Sequence, residues 1–141
     1  MSTINQLTYR TGNDLDLATV LALYEASTLG ERRPVHDQAR MQAMLQNANL
    51  VITAWAGREL VGISRALSDF AYVTYLSDLA VHRDYQNKGI GKELIRQTQR
   101  AGGPHTRIIL LAAPAAEQYY PRIGFTHHPQ AWLLNGDANL T

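Results

Sequence analysis

The chain has no cysteine among its 141 residues. Disulfides, cysteine-ligated zinc and a cysteinyl acyl-enzyme are therefore excluded, so any acyl chemistry proceeds without a protein thiol. An excess of one charge is missing too. The net charge is +1 and no basic block stands out, which argues against nucleic acid as the main partner. No apolar run is long enough to span a bilayer, and the opening MSTINQLTYR lacks a signal-peptide core. Internal repeats and low-complexity segments are absent, so nothing marks a linker. The expectation is a single domain over residues 1–141, with a sizeable core and no membrane partner, in the cytoplasm.

What is present centres on LSDLAVHRDYQNKGIGKELI, residues 76–95. Its aliphatic opening, through Val81, predicts a buried strand. From Gly89 onward, Ile90, Leu94 and Ile95 recur at helical spacing and predict an amphipathic helix. Between the two lie Gln86, Asn87, Lys88, Gly89, Ile90 and Gly91. The first N–H groups of a helix have no partner inside it, and the helix dipole favours negative charge there. Glycine lets an anion approach the main chain, and Lys88 and Lys92 add positive charge. The pattern implies a cradle for phosphate or pyrophosphate. It is not a P-loop, because Gly91-Lys92 is followed by Glu93. Nor is it a dinucleotide fingerprint, because Leu94 stands where the third glycine would be.

Elsewhere, Leu7 to Arg10 predicts a first strand. A helix capped by Asp14 carries Leu17, Val20, Leu21 and Tyr24, and should end near Leu29-Gly30. After the charged loop Glu31-Arg32-Arg33-Pro34, a second helix runs from about Asp37 to Gln46, with Met41, Met44 and Leu45 inward. Leu50 to Trp55 and Leu60 to Leu67 make a hairpin around Gly57. Within it Val61, Ile63, Arg65 and Leu67 share a face, so Arg65 needs a partner: either a structural ion pair or a place in a substrate pocket. The central strand region carries Tyr72, Tyr75 and Asp78, with core as the first expectation for the tyrosines. Gly102-Gly103-Pro104 stops the central helix. Arg107 to Ala112 predicts a strand parallel to the central one, followed by a short helix over 115–122. Strands are expected from Phe125 and over Ala131 to Leu134. His127-His128 has no third ligand nearby, so no metal site is expected.

QNKGIG, residues 86–91, resembles the Q/R-x-x-G-x-G/A signature of the GNAT acyltransferases. AEQYYPRIGF, residues 116–125, resembles the family's short helix bearing a tyrosine before a glycine-phenylalanine pair. The two in this order are far more specific than either alone, and the resemblance covers nearly the whole chain. It implies an α/β fold of the α+β type: a mixed, mostly antiparallel sheet with one splayed parallel pair, flanked by about four helices. It departs from the family at Ala113-Pro114-Ala115, which lacks an asparagine that commonly contacts CoA.

The resemblance further implies acetyl-CoA as acyl donor, with its pyrophosphate held by Gln86, Asn87, Lys88, Gly89, Ile90, Gly91 and Lys92. Its pantetheine would pair with Leu79, Ala80 and Val81. Tyr120 falls where the family commonly protonates the departing thiolate. Asp78 is the candidate base, or a carboxylate paired with Arg65, and the two roles are compatible. Arg65 and Tyr75 would shape the acceptor pocket. SRALSD and the 76–95 stretch resemble small-molecule amine acetyltransferases, which makes a small amine the expected acceptor. A protein lysine or N-terminal acetyltransferase and a non-catalytic acyl-CoA sensor remain the alternatives. The resemblance also admits a homodimer through the C-terminal strands.

Overall fold

The computed structural model describes residues 6–141; residues 1–5, the start of the stretch expected to lack a signal-peptide core, lie outside it. Residues up to Leu111 form one compact unit and Ala112–Thr141 a second. The first unit is built on a five-stranded sheet in the order β1 (Leu7–Thr11), β2 (Leu50–Ala56), β3 (Glu59–Ser68), β4 (Val73–Val81) and β5 (Arg107–Ile109). The first three pairings are antiparallel and β4–β5 is parallel. Gly57, with φ 60°, makes the left-handed turn that lets β2 fold back as β3.

Alternation along β3 sorts the helices onto two faces. The helices α1 (Leu17–Ala26) and α2 (Gln38–Asn47) bring Val20, Leu23, Tyr24, Met41 and Leu45 against Val51, Ile63 and Ala80. On the opposite face lies α3 (Ile90–Gly102), where Thr98 Oγ1 and Ser64 Oγ share a hydrogen bond of 2.7 Å. Ile90, Leu94 and Ile95 are all buried, as their spacing predicts. Among the described residues no helix is long and apolar enough to cross a membrane.

Several boundaries differ from the expectations. Asp16 rather than Asp14 caps α1, its Oδ2 accepting from Thr19 N at 3.1 Å. That helix stops at Ala26 because Thr28 is left-handed, with φ 72°, and a 3-10 turn over Leu29–Arg32 takes over. The strand predicted to reach Ala112 ends at Ile109. In the second unit the predicted helix divides into a 3-10 turn, Pro114–Ala116, and α4, Tyr119–Arg122. No strand follows β5 among the described residues. Trp132, Leu133 and Leu134 are exposed at 94%, 76% and 60%, so their apolar pattern has no hydrogen-bonding ladder to join.

The close approach of α3 to the sheet depends on Gly62. A Cβ there would stand 3.0 Å from Leu94 Cδ1, 3.1 Å from Ile90 Cγ2 and 3.3 Å from Ala54 Cβ. Gly62→Val should destabilise the protein by about 1–3 kcal/mol through overpacking, a fall in Tm of about 3–10 °C. Thermal unfolding followed by circular dichroism checks this; a melting curve equal to the parent's would show that α3 yields without cost.

Candidate functional site

The phosphate cradle expected at residues 86–91 takes its shape from backbone conformation. After β4, His82 N donates to Val61 O at 2.8 Å and His82 Nδ1 accepts from Asp84 N at 3.1 Å, starting a 3-10 turn over Arg83–Tyr85. Gln86 Nε2 then donates to Val81 O at 3.0 Å, which commits this side chain to stitching the loop onto the strand end. Asn87 and Gly89 are both left-handed, with φ 63° and 83°. Gly89 is the N-cap of α3 and no side chain caps the helix. The first-turn N–H groups, those of Ile90, Gly91 and Lys92, therefore lack intrahelical acceptors and are available to an anion. A Cβ on Gly89 would meet nothing within 4 Å, so its φ, not crowding, calls for glycine. Lys88 and Lys92 are exposed beside it. Glu93, also in the first turn, is engaged by Gln97 and Arg96; the Gln97 hydrogen bond, then Arg96, holds its carboxyl below the usual range.

Upstream of the cradle, β4 has an open edge. The parallel pairing with β5 extends only over Val73, Thr74 and Tyr75. From Leu76 to Val81 the strand has β3 on one side and, among the described residues, no strand on the other. The departure coincides with a β-bulge. Arg65 stands opposite Asp78 while Ala66 stands opposite Leu76, which leaves Ser77 as the extra residue.

Beside this bulge lies a buried side chain with four hydrogen-bond donors around it. Asp78 is fully buried. Its Oδ2 accepts from Arg65 Nε at 2.6 Å and from the Tyr24 hydroxyl at 2.5 Å; its Oδ1 accepts from Arg33 Nε at 2.7 Å. Ser77 Oγ adds a longer contact at 3.4 Å. A carboxylate offers roughly four lone-pair positions, and here all of them are engaged. The two guanidiniums continue outward. Arg65 donates to Ser77 Oγ (2.8 Å) and Met44 O (3.1 Å), and Arg33 to Ser77 O (2.8 Å) and Arg32 O (2.8 Å). Burial alone would raise the Asp78 carboxyl, but the hydrogen bond and charge of Arg65, helped by Tyr24 and Arg33, outweigh it and hold the group below the usual carboxylate range. Burial first, and then the Asp78 charge, push the Tyr24 phenol far above its ordinary value.

Arg65 and Asp78 thus meet as cross-strand partners, as the alternation of both strands anticipates. Tyr24 and Arg33 were not foreseen. Tyr24 sits on an apolar helical stripe and Arg33 in a charged loop, 54 and 45 residues from Asp78. The available signal was a fully buried strand carboxylate, which needs more than one donor. Tyr72 and Tyr75 correct the core expectation, being 64% and 37% exposed. Tyr75 lies on the Arg65–Asp78 face with Leu67 as its partner, and neither belongs to the core cluster. Tyr72 precedes β4, and the Arg107 guanidinium lies 5.6 Å from its ring centre.

In the second unit, Tyr120 is half-buried on α4. Its ring packs edge-on against Tyr119 and Phe125, each at 5.3 Å between centroids. The N–H groups of Ile123 and Phe125 both donate to Tyr120 O, at 3.2 and 3.0 Å, and Gly124 turns the chain with φ 111°. His127 and His128 are exposed, and no group of three metal-binding side chains occurs among the described residues.

Comparison with known proteins agrees with the fold. The family model described as acetyltransferase (GNAT) domain matches residues 22–136. Two soybean (Glycine max) proteins, the probable acetyltransferase TAP2 and the histone acetyltransferase TAP1, are each 29% identical over 144 residues and cover 91% of this chain. The chain spans only 55% and 59% of their respective lengths. Among solved structures, an aminoglycoside acetyltransferase from an uncultured soil metagenomic sample, in complex with sisomicin, has the same fold. Its TM-score is 0.69 at 22% identity, with 99% of this chain and 100% of that one covered.

The Asp78 cluster makes a prediction about stability and pH. Asp78→Asn leaves two guanidiniums with no counter-charge, so at pH 7 it should cost about 3 kcal/mol or more. The folded carboxyl titrates below its unfolded value of about 3.9. Its contribution is therefore complete above about pH 4 and is lost as pH falls toward the folded value. The parent should weaken on acidification below about pH 4, whereas Asp78→Asn, already weaker at neutrality, should change less over that interval. Urea titrations at pH 7 and pH 3 measure both effects, and parallel losses in the two proteins would contradict the assignment.

Proposed function

The chain belongs to the GNAT acetyltransferase family, and from that membership we propose that it moves the acetyl group of acetyl-CoA directly to the amine of a small molecule. One juxtaposition carries the reading: an uncapped, glycine-bearing helix N-terminus follows, after a short loop, a strand whose edge is open for its last six residues, Leu76–Val81. The main-chain N–H groups at the start of α3, with Lys88 and Lys92, suit a pyrophosphate. The open edge at Leu79, Ala80 and Val81 suits pantetheine, whose amides can pair with a strand as a peptide does. A main-chain N–H of that edge would face the thioester oxygen as negative charge develops on it.

In the proposed transfer the neutral amine attacks the thioester carbonyl, the carbon–sulfur bond breaks, and the thiolate takes a proton from Tyr120. The family resemblance supports this role for Tyr120. The proton lost by the amine passes to water. Asp78 is saturated with donors and held ionised, which makes it a weak base at neutral pH. Its proposed role is to fix β4 and the acceptor side of the slot, with Arg65 behind it and Tyr75 on the wall. A protein acceptor is the second reading, favoured by the relative whose name is histone acetyltransferase. CoA release measured across small amines and lysine-containing peptides separates the two. Faster turnover of peptides would replace the first reading by the second, and acetyl-CoA binding without turnover of any acceptor would leave a sensor.

Two substitutions test the parts. Gly91→Val should weaken acetyl-CoA binding in calorimetry by obstructing backbone approach, with the melting curve largely retained. Unchanged affinity in a folded variant would move the pyrophosphate elsewhere. Tyr120→Phe keeps the ring and should lower kcat roughly ten- to ten-thousand-fold while acetyl-CoA affinity changes far less. Parent-like turnover would make solvent the acid.

A further inference from the structure

Charge counting around Asp78 leaves one residue unexplained. A single carboxylate is met by two guanidiniums. Arg65, its cross-strand partner, is enough to balance the charge, and the Tyr24 phenol, held far above neutrality, is uncharged. Arg33 therefore makes a buried cluster net positive, which ion pairing does not require. The side chain is also 22% exposed and comes from the connection between α1 and α2 rather than from the sheet.

The distinctive feature of Arg33 is the pair of acceptors that it spans. Its Nε lies 2.7 Å from Asp78 Oδ1 and one terminal nitrogen lies 2.8 Å from the carbonyl of Ser77. Ser77 is the bulged residue, and a bulge leaves the main-chain groups of its extra residue outside the ladder. The planar fork of an arginine reaches both acceptors at once, so it holds this backbone conformation; a lysine ammonium lacks the fork. The remaining terminal nitrogen donates to Arg32 O and so ties the same side chain to its own loop.

We propose that Arg33 is a positioning residue: it fastens the α1–α2 connection to the bulge at which β4 leaves β5, and thereby sets the acceptor-side wall of the slot. The proposal rests on the reading that the open edge of β4 receives the acyl donor. The cradle lies beyond the far end of the strand, at residues 86–91, and none of the bonds that Arg33 makes to Asp78, Ser77 O and Arg32 O reaches it. Loss of the tether should therefore act on the acceptor and spare the donor. Removing Arg33 leaves Asp78 paired with Arg65 and Tyr24 and the cluster neutral, so the fold should survive.

Arg33→Met and Arg33→Lys in the whole chain provide the test, with three readouts: acetyl-CoA affinity by calorimetry, KM and kcat for the best amine of the panel, and amide hydrogen exchange. In Arg33→Met, acetyl-CoA affinity should hold while acceptor KM rises about tenfold or more, because a small misplacement of the wall is costly to substrate alignment. Exchange at residues 77–79 should accelerate while the amides of α3 stay as in the parent. Arg33→Lys restores the charge without the fork and should recover only a minor part of either effect. Parent-like KM and exchange in Arg33→Met would overturn the proposal. So would full recovery by lysine, which would leave charge as the whole effect. Loss of acetyl-CoA affinity with faster exchange throughout the unit would reduce Arg33 to a general stabiliser and overturn it too. If the parent itself turns over no amine, the transfer reading fails, and exchange at residues 77–79 still decides the tether.

Discussion

The arrangement depends on one buried carboxylate that cannot be left without partners. Asp78 is fully buried, and ionisation there is tolerable only because Arg65, Arg33 and Tyr24 surround it. Those partners come from β3, from the α1–α2 connection and from α1, and Arg65 reaches on to Met44 O on α2. Satisfying one side chain therefore fixes two helices, their connection and two strands against one another. The cluster is expensive in desolvation, so its value lies less in net stability than in the single geometry it permits.

That geometry is placed at the bulge. Ser77 is bonded through its carbonyl by Arg33 and through its hydroxyl by Arg65, at the point where β4 ceases to pair with β5. A strand freed from one neighbour would ordinarily be an exposed liability. Here the freed edge is braced from behind by the two arginines that bond Ser77. The loop after the same strand is shaped differently. It uses left-handed residues at Asn87 and Gly89 and one side-chain stitch from Gln86 to Val81 O, so that main-chain N–H groups are offered without any side-chain cap.

A carboxylate on a strand beside the proposed acyl-transfer slot invites assignment as a base. The surroundings of Asp78 argue for a different division of labour. Donors that hold a group ionised also lower its proton affinity, so good anchoring and good basicity compete. The Tyr120 ring lies edge-on between the rings of Tyr119 and Phe125.

Much of this was legible in the amino acids alone, and the reason is locality. The turn from β4 into α3 follows from Gly89 and Gly91 standing between a period-two strand and a period-3.6 helix, a pattern complete within twenty residues. The hairpin at Gly57 and the stop at Gly102-Gly103 are likewise set by the conformational range of single residues. Arg65 opposite Asp78 could be anticipated because alternation fixes faces. The partners Tyr24 and Arg33 could not, since nothing local distinguishes a phenol on an apolar stripe, or one arginine of Arg32-Arg33, from its neighbours. The C-terminal segment shows the converse. Ala131 to Leu134 has the composition of a strand, yet a strand exists only where another backbone supplies its hydrogen bonds, and Trp132 stays exposed. Residue chemistry dictated the turns, the faces and the glycine-bearing start of α3; long-range packing chose which donors gather on Asp78 and which apolar runs find a partner, because burial and pairing belong to the folded assembly and not to any single segment.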